Sequence, residues 1–167
     1  MMQTVDRSSI KWAAYGAEVW SFLFAAMSFY WAAGGMVGAD TLGDGIKALA
    51  LTRDSELLAM TWITGGLKVI AGLWALALVQ SWGQIIPRRL RLVGAWTAAI
   101  LFLLYGIGNL IQHALIAIGS APIPNLLGSM TPVYWHLFFW DPFWIVGGVL
   151  FALAARFASR QRVNHSR

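Results

Sequence analysis

The chain has 167 residues, of which 59% are apolar and 11% charged, and its mean hydropathy is +0.64. These values lie far outside the averages of soluble domains, which excludes an ordinary water-soluble protein and predicts an integral membrane protein. The absence of cysteine excludes disulfides and thiolate metal sites. The net charge of +5 fits membrane topology and attraction to anionic lipid, so nucleic acid is not an indicated partner.

Four apolar runs are long enough to cross a lipid bilayer, which takes about 20 residues of helix. They fall at about residues 13–37, 57–82, 93–118 and 133–155. Few charges interrupt them, and nothing indicates a separate soluble domain. We therefore predict one all-α domain over residues 1–167, a four-helix bundle that crosses the bacterial inner membrane four times.

The predicted topology rests on three basic segments. They are the N-terminal segment with Arg7 and Lys11, the IPRRLR turn with Arg88, Arg89 and Arg91, and the C-terminal segment with Arg156, Arg160, Arg162 and Arg167. Cytoplasmic segments near span ends carry the excess of Lys and Arg, so both termini are expected in the cytoplasm. A signal peptide ending at VGA is the alternative for the first run, but Glu18 and a length above about 15 residues oppose it.

A Trp-x-x-Gly-Gly pattern recurs in the first, second and fourth runs. It reads WAAGG at 31–35, WITGG at 62–66 and WIVGG at 144–148. A pair of glycines removes side chains, so a neighbouring helix or a ligand can approach the backbone closely. Two interpretations follow: tight packing between helices, or a notch for a ligand beneath tryptophan rings.

Every run also carries one face of small and polar side chains, spaced by three and four residues as on a helix. The faces comprise Glu18, Ser21, Ala25, Ser28, Ala32 and Gly35; Thr61, Thr64, Gly65, Lys68, Gly72 and Ala75; Phe102, Tyr105, Gly106, Asn109, Gln112 and His113; and Asp141, Trp144, Gly148, Ala152 and Ala155. Such faces avoid lipid, so we predict that they turn toward one another or toward a partner protein.

Two charged side chains lie deep in the runs, Lys68 in the second and Asp141 in the fourth. Their depths agree within about one turn when counted at about 1.5 Å per residue. We predict that they form an ion pair, because either charge alone would be costly in lipid. Pro142 cannot donate to the carbonyl of Phe138, so a kink and a free acceptor are expected beside Asp141.

His113 and His136 match in depth near the outer end of the bundle, and Asn109 lies about a turn deeper. We predict a polar cavity in the outer half that binds a small molecule or an ion. Its candidate residues are Lys68, Asp141, Asn109, His113, His136, Tyr105, Trp144 and Glu18. Purely structural roles stay open for these residues, such as an ion pair that sets helix registry.

Two further functions stay open. One is a haem-binding or pigment-binding electron carrier, in which His113 and His136 are facing axial ligands. The other is an accessory subunit, whose polar faces pack in a homo-oligomer or a larger membrane complex. HExxH, P-loop, GxSxG and metal-spaced carboxylate motifs are missing from the sequence. We therefore assign no catalytic residue, no metal site and no cofactor besides the alternative haem, and an enzyme is not indicated.

Several of these segments together resemble a known family. They are WAAGG, WITGGLK, the IPRRLR turn, LYG and DPFWIVGG. Their combination is similar to a family of small bacterial four-helix membrane proteins that is classed as a domain of unknown function. The resemblance covers nearly the whole chain and implies the four-span fold. It implies no activity and assigns no role to any residue.

Overall fold

The computed structural model describes residues 7–160, with side chains described from Lys11 onward. All regular structure in this range is helical, which confirms the all-α prediction. The helices are α1 (Arg7–Ala32), α2 (Asp44–Leu51), α3 (Ser55–Ala77), α4 (Arg88–Ala117), α5 (Met130–Trp135) and α6 (Asp141–Arg160). A π-helical turn, His136–Trp140, joins α5 to α6. Short 3-10 turns lie at Ala39–Thr41 and Ser81–Ile85.

Three helical stretches of the described range are long and apolar enough to cross a membrane. They are α3, α4 and the continuous run from Met130 to Arg160. Helix α1 has 26 residues, but its serines, tyrosines and Glu18 lower its hydropathy. It also ends at Ala32, short of the predicted boundary at residue 37, because Gly34 adopts a left-handed backbone with φ of 106°. Four spans and cytoplasmic termini stay predictions, and Arg162 and Arg167 lie outside the described residues.

Helix α1 packs against α3 and α6, and α6 also packs against α4. Glycines mark close approaches: Gly65 of α3 lies against Phe29 of α1, and Gly148 of α6 lies against Leu103 of α4. A Cβ at either glycine would lie 2.6 Å from that neighbour, which a close-packed interior does not accommodate. Both glycines belong to Trp-x-x-Gly-Gly motifs, so tight packing explains Gly65 and Gly148, whereas a Cβ at Gly66 would meet nothing within 4 Å. In WAAGG, Gly34 ends a helix instead.

The small faces of α1 and α6 point inward, as the spacing predicted, but the predicted faces of α3 and α4 do so only in part, because Thr64, Tyr105 and Gln112 are exposed. Buried members include Ser21, Ala25, Ser28 and Ala32 on α1, Gly65, Lys68, Gly72 and Ala75 on α3, Gly106 and His113 on α4, and Asp141, Gly148 and Ala155 on α6. Aromatic rings fill the centre between α1, α4 and α6, among them Trp20, Phe24, Phe102 and Trp144. The outer surface is rich in exposed aliphatic side chains, which suits contact with lipid.

The segment between α1 and α3, residues 33–54, covers one end of the bundle and is called the cap here. Backbone hydrogen bonds of 3.0 and 3.1 Å join it to residues 126–127, in the loop before α5. Trp140 Nε1 donates to Thr41 Oγ1 of the cap at 3.1 Å. The cap is therefore attached to the π-helical turn, close to the proline that the sequence singles out. In the predicted topology this end faces outward.

Candidate functional site

The site begins with Pro142, which lies in the first turn of α6 and has no N–H to donate. Directly before it, the N–H of Asp141 donates to the carbonyl of His136, five residues back, and closes a π-helical turn. Side chains five residues apart on an α-helix point about 140° away from each other, at about 100° per residue. The wider π turn brings them toward one face. The interruption expected at Pro142 thus aligns His136 with Asp141.

Asp141 is the centre of a cluster with two histidines, of which His113 is buried and His136 is 19% exposed. The Asp141 side chain is 1% exposed, and its Oδ2 lies 2.6 Å from Nδ1 of His113 on α4. An ionised carboxylate only accepts, so Nδ1 is the donor. His136 Nδ1 lies 3.7 Å from the other carboxylate oxygen, Oδ1. The two imidazole rings are stacked, with 4.6 Å between centroids and 29° between planes. We call His113, His136 and Asp141 the His–Asp–His cluster.

The hydrogen bond of His136 to the cap decides which of its nitrogens carries a proton. Nε2 lies 3.0 Å from the carbonyl oxygen of Leu42, and a carbonyl only accepts, so Nε2 carries the hydrogen. In the neutral imidazole, Nδ1 is then an acceptor, and it faces the Asp141 carboxylate. Two acceptors face each other across 3.7 Å, an arrangement that a positive charge between or on them would stabilise.

The cluster also has the composition of a cation site. Each of its three residues offers one ligand atom, and these atoms lie within 4.8 Å of one another. Imidazole nitrogen and carboxylate oxygen are common ligands of divalent transition metals. Residue spacing along the sequence does not predict this metal site, because the sequence contains no metal-ligand motif and His136 and Asp141 share a face only through the π turn.

The predicted ion pair between Lys68 and Asp141 is wrong: no salt bridge joins them, although both lie in the described range. Lys68 is buried and donates from Nζ to Ser28 Oγ at 2.8 Å. Its ammonium also lies 4.0 Å from the ring centroid of Phe24 and 5.4 Å from that of Trp144, as in cation–π contacts. Depth predicted the pair, but Lys68 points toward α1 while Asp141 points toward α4.

The other predicted cavity residues do not join the cluster by hydrogen bonds. Tyr105 is 53% exposed and packs against Trp144 with 4.7 Å between centroids. Asn109 donates to the backbone carbonyl of Tyr105 at 2.8 Å. Glu18 is half-buried in the half of α1 remote from the cap. The eight candidates therefore divide into the His–Asp–His cluster, the aromatic surroundings of Lys68 and residues outside both.

The ring geometry bears on the haem alternative. Axial imidazoles aim their nitrogens at one iron from opposite sides of the porphyrin. The rings of His113 and His136 instead lie face to face at 4.6 Å, which leaves no room for a macrocycle between them. The arrangement suits two ligands on the same side of a small ion better than two axial ligands of a haem.

Two parts of the site have no signal in residue spacing. The carbonyl of Leu42 reaches His136 only because the cap folds back over the bundle. Ser28 becomes the partner of Lys68 only through the packing of α1 on α3. The alignment of His136 with Asp141 does have a signal in the sequence. It is the proline after Asp141, because a proline interrupts the α-helical period.

The geometry defines a class: an all-helical protein with membrane-length apolar helices and a His–Asp–His cluster beneath a cap. The chain belongs to the family described as "Protein of unknown function (DUF3995)", whose model matches residues 21–151. The resemblance seen in the sequence motifs is thereby confirmed. Searches among curated proteins and among solved structures found no significant match. The matched range contains every residue of the cluster.

Proposed function

We propose that the protein is a four-span protein of the bacterial inner membrane, with both termini in the cytoplasm, that binds a cation at the His–Asp–His cluster. The supporting observation is the 3.7 Å approach of His136 Nδ1 to Asp141 Oδ1. Leu42 holds the proton of His136 on the opposite nitrogen, so Nδ1 and the carboxylate both present lone pairs to the same space.

The charge of the cluster supports the same proposal. With His113 and His136 neutral, the ionised Asp141 leaves one negative charge in a site that is 1% exposed at the carboxylate. A buried charge is costly unless it is paired, and more so between helices in a membrane. A bound cation neutralises it, which makes this a ligand-binding or transport-like bundle rather than an enzyme. Lys68 does not supply that neutralisation by direct contact, since its ammonium is bonded to Ser28.

A second proposal, the accessory subunit or homo-oligomer, is supported by the surface of α4. Tyr105 and Gln112 are exposed there, two turns apart on a helix long and apolar enough to span a membrane. Gly108 lies between them, and a Cβ built on it meets nothing within 4 Å. Polar and small side chains that face outward from a span favour contact with another helix. Native mass in detergent tests this, and a monomer without co-purified protein would oppose it.

The cation proposal is tested by thermal unfolding of the purified full chain in detergent. After chelator treatment, chlorides of Na⁺, K⁺, Mg²⁺, Ca²⁺, Mn²⁺ and Zn²⁺ are added singly to the wild type and to Asp141→Asn. We expect at least one cation to raise the melting temperature of the wild type, because a ligand that binds only the folded state stabilises it. The variant should lose this response. Asp40→Asn, a change at an exposed carboxylate of the cap, is the matched control and should keep it. Equal responses of wild type and Asp141→Asn would contradict the proposal.

A further inference from the structure

We propose that the cation is a divalent first-row transition metal ion, held by His113, His136 and Asp141. This rests on the proposed function and narrows it to one class of ion. Two imidazoles and one carboxylate form a donor set that suits zinc, iron, cobalt or nickel. Sodium, potassium, magnesium and calcium prefer sites made of oxygen ligands. The neutral nitrogens of the cluster therefore select against the hard cations.

The distances favour a metal ion over a shared proton at His136. At 3.7 Å, Nδ1 and Oδ1 are too far apart for a hydrogen bond, which would draw them to about 2.7–2.9 Å. Two ligand atoms bound to zinc at about 2.0–2.1 Å in a tetrahedral arrangement lie about 3.3–3.4 Å apart. The observed separation is closer to that value. A metal ion thus needs only a small inward movement of the His136 ring.

At the other carboxylate oxygen, the proton of His113 Nδ1 occupies the position of the metal ion. His113 Nδ1 and Asp141 Oδ2 are 2.6 Å apart, slightly shorter than the roughly 2.7–2.9 Å of a charge-assisted hydrogen bond from nitrogen to a carboxylate. Metal binding requires the proton to leave His113 Nδ1 for solvent and this pair to open. All three side chains then offer a ligand atom to the same ion.

The cap supplies the support that a metal-binding histidine needs. A ligating imidazole usually donates its second N–H to a carboxylate or a backbone carbonyl, which fixes its tautomer and orientation. His136 donates to the Leu42 carbonyl, so Nδ1 is the nitrogen available to the ion. The neighbouring bond from Trp140 to Thr41 holds the cap on the same π turn. With three protein ligands, further coordination positions stay open for water or a small ligand.

Cobalt titration is the closing experiment, because Co²⁺ reports its coordination by visible absorption. The chelator-treated full chain in detergent is titrated with Co²⁺, and Zn²⁺ is then added as a competitor. We expect one Co²⁺ per chain, with the absorption removed by Zn²⁺. His113→Gln, His136→Gln and Asp141→Asn should each weaken binding about tenfold or more. His165→Gln, at the remaining histidine of the chain and outside the described residues, is the control and should bind as the wild type does.

A second variant guards against loss of folding. Since the chain has no cysteine, His136→Cys introduces a single thiol. If residue 136 is a ligand, the Co²⁺ complex gains an intense sulfur-to-metal charge-transfer band that the wild type lacks. Absence of that band in a folded His136→Cys protein that still binds Co²⁺ would overturn the assignment of His136.

The outcomes separate this inference from the proposed function. Stabilisation by a hard cation that depends on Asp141, without Co²⁺ or Zn²⁺ binding, would overturn the transition-metal assignment and leave the cation site intact. No response to any cation would overturn both. Co²⁺ binding that survives all three ligand substitutions would place the metal elsewhere and overturn the inference.

Discussion

The hydrogen bond between His113 and Asp141 is expected to be the strongest polar coupling in the described bundle. It is 2.6 Å long, and the two side chains are 6% and 1% exposed. Removing one partner of a buried hydrogen bond leaves the other unsatisfied, which costs about 1–3 kcal/mol and more where the remaining group is charged, whereas replacing both partners with apolar residues can be nearly neutral. We therefore expect His113→Leu and Asp141→Leu each to destabilise strongly, and the double variant to cost far less than their sum. The coupling should be about 1–3 kcal/mol.

The assay is reversible chemical unfolding in mixed micelles without added metal, followed by the fluorescence of the ten tryptophans. Free energies of unfolding are measured for the wild type, the two single variants and the double variant. Chelator is present throughout, so that metal binding does not contribute to the difference.

A second cycle on Lys68→Met and Asp141→Leu is the control. These residues share no salt bridge, and Lys68 is bonded to Ser28 instead, so their coupling should be clearly smaller than that of His113 with Asp141. Additive losses for His113 and Asp141 would refute the hydrogen-bonded cluster. A larger coupling for Lys68 with Asp141 would restore the ion pair that depth alone predicted.

Two further predictions concern backbone geometry. Gly147→Ala should lower the free energy of unfolding by about 1–3 kcal/mol, because its new methyl group meets the ring of Trp20. Gly66→Ala meets nothing within 4 Å and should raise it by about 0.5–1 kcal/mol. Equal effects of the two variants in the unfolding assay would contradict the packing described. Pro142→Ala should leave the helix content measured by circular dichroism nearly unchanged. It should weaken Co²⁺ binding about tenfold, because an N–H at this position favours an α-helical register over the π turn. An unchanged affinity for Co²⁺ would show that the proline does not align the cluster.

Helical periodicity was enough to predict the long helices and many of the small side chains that they bury. Ser21 and Ser28 of α1 and Gly65 and Gly72 of α3 are buried, as the spacing required. These positions follow from one helix at a time, because a small side chain is buried against whichever neighbour packs there. The partner of Lys68 does not follow in this way. Depth along a span can be counted, but the direction in which a side chain points across the bundle depends on which helices are neighbours.

The order of the helices explains that error in physical terms. Helix α1 lies between α3 and α6, and α6 meets α4 on another side. A lysine on α3 that points into its interface with α1 finds Ser28 and the ring of Phe24. A carboxylate on α6 that points toward α4 finds His113. Lys68 and Asp141 thus lie at matching depths in two separate polar environments. Counting residues along the sequence gives the depth of each side chain, but it does not show which helices are neighbours.

The Asp-Pro pair indicates a local change of helical period, which a purely α-helical interpretation of the sequence misses. In the segment HLFFWDP, the spacing of five residues sets His136 and Asp141 on different faces of an α-helix, so periodicity alone separates them. Pro142 changes the period locally, because it withholds the N–H that would continue the α-helical ladder, and the turn before it closes through the Asp141 N–H instead. Pro142 lies inside the continuous helical run from Met130 to Arg160, where a proline costs about 3 kcal/mol or more, and the π turn directly before it accommodates the missing N–H. An i, i+5 pair of ligand-type residues that ends directly before a proline is therefore evidence for a shared site.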